Sequence, residues 1–196
     1  MGCDFLAFSA HKMFGPTGIG LLYGREERLS GMEPLLVGGG MVDRVGEDSA
    51  ASQWSGIPAR FEAGSPDMPG AVAFAAAADY LVSLNRESVR RHVASLTQLA
   101  ARGLMTIPGV SLLPHAQLPR HGIVSFTHRE LHPHDLAQVA GERGVAIRAG
   151  HHCAQPLLSY LGHSATARAS FSVYNDEADV QALIEAILSA HEMFSG

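Results

Sequence analysis

Residues 4–20 read Asp-Phe-Leu-Ala-Phe-Ser-Ala-His-Lys-Met-Phe-Gly-Pro-Thr-Gly-Ile-Gly. Asp4 to Ser9 is a short apolar run that stops at polar residues, the pattern of a buried strand rather than of a helix. The cluster Gly15-Pro16-Thr17-Gly18 then reads as a loop, and Ile19 to Tyr23, closed by Gly24, as a second strand. The few residues between the two runs make them antiparallel neighbours in one sheet. Lys12 thus stands where a buried strand ends. A lysine tethered there and partly desolvated presents its amine as a nucleophile able to form a Schiff base, whereas in an ordinary polar loop it is a solvated cation. Ser9 and His11 flank it as donors for a phosphate. The glycines carry no nucleotide fingerprint: residues 15–20 read G-x-x-G-x-G and lead into a strand, and Lys12 precedes the cluster where a P-loop lysine would follow it.

Working outward, Glu26 to Leu29 fits one helical turn, and Glu33 to Ser65 shows little periodicity. Gly38-Gly39-Gly40, Gly46, Gly56 and Pro58 punctuate it, so it reads as a long loop of the functional or interfacial kind. Pro69-Gly70 gives way to an alanine-rich helix, Ala71 to Leu84, and helical spacing continues from Glu87 to Leu104, as one kinked helix or two. Alternating short elements follow. They are strands at Val110–Leu113 and Gly122–Thr127, a helix at Pro133–Arg143, a strand at Val145–Arg148, a loop, a strand at Arg168–Val173 and a closing helix at Ala178–Phe194. The pattern is α/β, with a second, α+β unit beginning near residue 85: 1–84 and 85–196.

Two further constellations carry chemistry. Arg148-Ala149-Gly150-His151-His152-Cys153-Ala154 places a cysteine in a glycine-containing polar loop, where it reads either as a thiolate nucleophile or as a structural thiol. Adjacent His-His-Cys residues point in different directions and lack a second ligand pair, so no metal is expected there. His128, His132 and His134 read as surface residues at the start of a helix. Arg168 opens an otherwise apolar strand and needs a partner, either a substrate carboxylate or an internal acid.

Composition narrows the class. With 46% hydrophobic and 17% charged residues among 196, the chain is globular. Its 14 Lys+Arg against 19 Asp+Glu give a net charge of -5, which argues against nucleic acid and anionic membranes as partners. Two distant cysteines, Cys3 and Cys153, make no disulfide scaffold, and no apolar stretch reaches the length of a membrane span, so a cytoplasmic protein is expected.

Taken in order, Phe8 to Lys12 with residues 15–20, Gly38-Gly39-Gly40, Arg60-Phe61-Glu62-Ala63-Gly64-Ser65-Pro66, Arg148 to Ala154 and Arg168-Ala169-Ser170 closely resemble the motifs of group II (Suf-type) cysteine desulfurases. These are class V aminotransferase-like enzymes of the pyridoxal-phosphate-dependent transferase fold type I. The resemblance covers the C-terminal half of that family. It implies that residues 1–84 are the end of the large cofactor domain with its interface loop, and that 85–196 are the complete small domain. It implies further that Lys12 carries pyridoxal 5'-phosphate covalently, that Ser9 and His11 bind its phosphate, and that Ser65 reaches the phosphate in the partner's site of a homodimer. Cys153 then takes sulfur from L-cysteine as a persulfide, leaving L-alanine, and that sulfur supplies iron-sulfur cluster assembly through a Suf-type sulfur-acceptor protein. Arg168 clamps the substrate carboxylate with Arg148 nearby, and His151 or His152 assists proton transfers. Two other readings stand beside this one: a selenocysteine lyase acting on L-selenocysteine or another class V relative, and an inactive fragment that only associates with a full-length subunit. An edge strand at Asp4 to Ser9 without its neighbours is expected to expose apolar surface.

Overall fold

The computed structural model describes residues 2–48, 51–113 and 121–194. The chain divides into two compact units, Met1–Leu84 and Asn85–Gly196.

In the first unit, β1 (Phe5–Ser9) pairs antiparallel with β2 (Gly20–Gly24), from Phe5 opposite Gly24 to Ser9 opposite Gly20. Glycine is required at the last position, because a Cβ on Gly20 would lie 2.7 Å from the Phe8 carbonyl oxygen. Between the strands Ala10–Lys12 form one 3-10 turn, knotted around the fully buried Ala10. Its N–H donates to the Ile19 carbonyl at 3.0 Å, and its carbonyl accepts from Met13 at 2.8 Å and Gly15 at 2.9 Å. After the short α1 (Glu26–Leu29), the stretch expected as an unbroken loop contains a small antiparallel pair, β3 (Val42–Arg44) and β4 (Gln53–Trp54). Strands of three and two residues are too brief to show alternation in the sequence.

The alanine-rich helix α2 spans Met68–Ser83, three residues earlier than expected, because Asp67 caps it by accepting the Gly70 N–H at 2.9 Å. Edge-to-face pairs Phe8–Phe74 and Phe14–Tyr80, each with centroids 6.0 Å apart, lay the turn that bears Lys12 against α2. Apolar surface is left open in this unit at Leu22, Leu35, Leu36, Val37, Val45, Val72 and Val82.

The second unit begins at Asn85, whose side chain accepts the Ser88 N–H at 2.9 Å and starts α3 (Arg86–Met105), so the long helical stretch is two helices. There follow β5 (Val110–Leu113), β6 (Ile123–His128), α4 (Pro133–Glu142), β7 (Arg148–Gly150), α5 (Gln155–Tyr160), β8 (Thr166–Ser170) and α6 (Glu177–Phe194). The four strands form one antiparallel sheet in the order β5-β6-β8-β7. Period-2 alternation sends Val124, Phe126, Ala167 and Ala169 into a core shared with Leu96, Ala100 and Leu104 of α3, Leu136 of α4 and Val180, Leu183 and Ile187 of α6. The opposite face carries Ser125, Thr127 and Arg168. The strand expected at Val145–Arg148 lies three residues later at its start, since pairing with β8 decides which residues join the sheet. Among the described residues no helix is long and apolar enough to cross a membrane.

His128 corrects an expectation. It is 6% exposed at the end of β6, not a surface residue, while His132 and His134 are exposed. Its Nδ1 accepts the N–H groups of Glu130 at 3.1 Å and Leu131 at 3.2 Å, so the ring proton sits on Nε2, which donates to His191 Nδ1 at 3.1 Å. Burial first and His191 second hold His128 below the ordinary histidine value of 6.5, against opposing contributions from the Pro108 carbonyl and Glu130. An unfolded chain therefore takes up a proton that the folded one resists. The stabilisation is complete above the ordinary value and is lost as the pH falls below it. Urea midpoints of the chain are expected to decline between about pH 6.5 and pH 5, above the range in which the paired carboxylates titrate. A midpoint that is flat or rising over that interval would contradict this origin.

Candidate functional site

The sequence-predicted residues divide between the units, with Ser9, His11, Lys12 and Ser65 in the first and Arg148, His151, His152, Cys153 and Arg168 in the second. In the first unit Ser9 ends β1, and His11 and Lys12 belong to the 3-10 turn beyond it. The backbone of this turn is held by Ala10, yet the Lys12 and His11 side chains are exposed, so Lys12 is less desolvated than its position at a strand end suggests. Ser65 is also exposed and lies on a different segment. That segment is tied to the glycine triplet by the Gly64 N–H, which donates to the Gly39 carbonyl at 2.8 Å. A Cβ on Gly38 would meet Ala63 Cβ and the Gly64 nitrogen at 3.2 Å, which accounts for a glycine there. Ile19, Gly40, Glu62, Gly64 and Pro66 line a cleft of about 660 Å³ within this unit.

In the second unit β7 leads into the loop 151–154, which turns sharply. Gly150, His152 and Cys153 have φ of 116°, 55° and 58°. Two successive non-glycine residues in the left-handed region are strained, at a cost on the order of 1–3 kcal/mol each, and persist only where the surroundings hold them. The Ala154 N–H closes the turn on the His151 carbonyl at 2.9 Å. Cys153 is exposed and free of any disulfide, and Arg148 Nη2 donates to its Sγ at 3.7 Å.

Arg148 lies directly opposite Arg168 on the β7–β8 ladder. Like charges facing each other across a sheet destabilise it unless an anion intervenes. Among the described residues neither arginine makes an ion pair, and Arg168 Nε is buried without a hydrogen-bond partner. The internal-acid alternative for Arg168 thus finds no support among these residues.

His152 is half-buried, and its Nε2 lies 3.0 Å from the Thr166 carbonyl and 2.9 Å from the Thr166 hydroxyl. Burial above all, with Arg168, Arg148 and His151 adding repulsion, pushes its imidazolium form below the ordinary histidine range despite the carbonyl. His151 is exposed. Thr166, fully buried at the start of β8, is the site residue the sequence reading missed. The strand expected at Arg168–Val173 starts two residues earlier, and in β8 alternation places residue 166 on the same face as Arg168. The six-residue α5 after the loop was also missed, being too short for helical spacing to register.

Comparison with known proteins points one way. The family model described as Aminotransferase class-V matches residues 1–183. A protein named "Probable cysteine desulfurase" from Staphylococcus epidermidis is 45% identical over 192 residues, covering 98% of this chain and 46% of its own length. One of the same name from Halalkalibacterium halodurans is 44% identical over 194 residues, covering 99% and 47%. The chain therefore spans about half the length of the curated relatives it matches. Among solved structures, the cysteine desulfurase CsdA of Escherichia coli superposes with a TM-score of 0.90 at 38% identity, over 97% of this chain and 46% of that one. The cysteine desulfurase of Thermococcus onnurineus superposes with a TM-score of 0.89 at 37% identity, over 97% and 48%.

Proposed function

Since the chain belongs to the aminotransferase class-V family, we propose that it is the part of a pyridoxal-phosphate-dependent cysteine desulfurase that bears the cofactor lysine and the sulfur-accepting thiol. The observation that carries this reading is the exposed, free Cys153 in a left-handed turn, with a guanidinium on its sulfur and the unpartnered Arg168 Nε close by in the same sheet. On this reading residues 1–84 end the large cofactor domain and include its interface loop, and 85–196 form the small domain.

The donor set of the first unit fits pyridoxal phosphate. Lys12 offers a primary amine to the aldehyde, and Ser9 and His11 offer a hydroxyl and an imidazole to the phosphate, from the end of β1 and from a turn whose backbone is fixed while the His11 and Lys12 side chains are exposed. Ser65 adds a hydroxyl toward the phosphate in the partner's site of a homodimer. When bound, the cofactor supplies an electron sink for the negative charge left at the substrate Cα.

This chain's residues do the rest. Arg168 binds the substrate carboxylate in its bidentate fork, and Arg148 steadies the Cys153 sulfur. Lys12 Nζ takes the Cα proton and later returns one. The Cys153 thiolate forms an S–S bond with the substrate sulfur, and the electrons of the broken C–S bond stay with the substrate carbon. That carbon takes a proton, delivered by exposed His151, and leaves as the methyl group of alanine. One thiol of the substrate thereby becomes the outer sulfur of a persulfide on the protein, with no oxidant consumed. We take the product to serve iron-sulfur cluster assembly through a Suf-type acceptor, in the cytoplasm.

The test is to add pyridoxal phosphate to the chain, reduce with borohydride and map the modified peptide. Stoichiometric modification of Lys12 is expected. Labelling scattered over other amines would overturn the assignment of the cofactor turn.

A further inference from the structure

We propose that His152 is a positioning residue: a neutral imidazole clamped to Thr166, it holds Cys153 in the left-handed turn that presents its sulfur beside Arg148. This rests on the reading of Cys153 as the sulfur-accepting nucleophile.

The hydrogen bonds assign the ring's proton. A carbonyl oxygen only accepts, so the 3.0 Å approach of His152 Nε2 to the Thr166 carbonyl requires a proton on Nε2, shared with the Thr166 hydroxyl at 2.9 Å. His152 Nδ1 is then a bare acceptor, buried and without a partner. The opposite tautomer would bury an unpartnered N–H instead and set a ring lone pair against the carbonyl lone pairs, which costs more than an unfilled acceptor.

Charging the ring would add a proton at that same orphaned Nδ1. Arg148 on β7, Arg168 on β8 and His151 in the loop all face His152, and all oppose a further positive charge. A ring that is neutral, with its N–H spent on a backbone carbonyl, does not ferry protons to a substrate. That work falls to His151, and His152 acts through its neighbour.

What it holds is strained. The left-handed turn at residues 152 and 153 relaxes toward extended conformations unless the surroundings pin it. Thr166 is a rigid anchor, fully buried and paired with Gly150 on the sheet. The clamp therefore ties the strained turn to a fully buried position of the sheet, at the residue pair where β7 already joins β8.

The test uses the 196-residue chain with Cys3→Ser, which leaves Cys153 as its one thiol. It measures the rate at which iodoacetamide alkylates Cys153 at pH 7, and the ring nitrogen shifts of His152 by NMR against pH. The ring is expected to keep the neutral Nε2–H signature at pH values where an ordinary histidine is already charged. His152→Gln, whose amide N–H reaches the same carbonyl but cannot titrate, is expected to alkylate within about twofold of the parent. His152→Ala is expected to be slower by about fivefold, the worth of one net hydrogen bond, because the released turn carries the sulfur away from the guanidinium.

A His152 that titrates at or above the ordinary value, or a Gln variant as slow as the Ala variant, would overturn the proposal. Should His152→Ala fail to fold, as read by circular dichroism, the ring titration and His152→Gln still decide it. Neither readout involves pyridoxal phosphate or turnover. A holoenzyme that made no alanine from cysteine would remove the functional reading and leave these results standing.

Discussion

Cys153→Ala is expected to cut persulfide formation from L-cysteine in the assembled holoenzyme by at least about a thousandfold, the scale on which loss of a covalent nucleophile is felt. The same change should leave folding almost untouched. The side chain is exposed, its one polar contact is the long 3.7 Å approach of an exposed arginine, and alanine bears the φ of 58° at the same steric cost as cysteine. Surface changes of this kind shift stability by no more than about 0.5 kcal/mol. Borohydride labelling of Lys12 should likewise survive, because that turn is organised within the first unit by Ala10. The measurement is peptide mass spectrometry for the added sulfur, run beside an alanine assay and a thermal melt. Undiminished alanine release with sulfur found elsewhere on the protein would assign the acceptor role to another group.

Phe126→Ala should cost about 3–5 kcal/mol, a large part of what an ordinary domain has in hand. Phe126 is completely buried at the middle of β6, where residues of both flanking strands and of three helices close around it. Removing the ring leaves a cavity that the sheet on one side and helices on the other cannot collapse into. Ile123 is on the other face of the same strand and 48% exposed, so Ile123→Ala should stay below about 1 kcal/mol. Urea unfolding followed by far-UV circular dichroism separates the two. The Phe126 variant should show a lower midpoint with an unchanged slope. Equal effects of both substitutions would mean that the sheet does not bury one face as described.

Much of this was readable beforehand, for reasons of chain geometry. Asp4 to Ser9 and Ile19 to Tyr23 pair antiparallel as expected because their apolar runs are short and close in sequence, with a Gly/Pro cluster between them. The closing helix α6 follows the spacing of Val180, Leu183, Ile184 and Ile187, since an amphipathic period is a local property, whereas Leu188, spaced for the same face, is 38% exposed. The motifs around Lys12 and Cys153 were legible as chemistry because they are contiguous. The apolar surface expected on the edge strand Asp4 to Ser9 is seen at Phe5, and on its partner β2 at Leu22. His128 was misjudged. A histidine followed by Arg129 and Glu130 looks solvated, but His191 of α6 and the turn at Pro108–Gly109, both distant along the chain, close on its ring.

The sequence by itself determined the order of the longer elements, the family and which residue types could act, because these depend on neighbours along the chain and on period. Only the tertiary structure decided the electrostatics of the cysteine loop. Whether Arg168 faces an acid or Arg148, and whether His152 keeps its proton on Nε2, depend on the register of β7 against β8, which joins residues fifteen or more positions apart. Register is a property of two strands together, set by the core that Ala167 and Ala169 must enter, and no single stretch of sequence contains it.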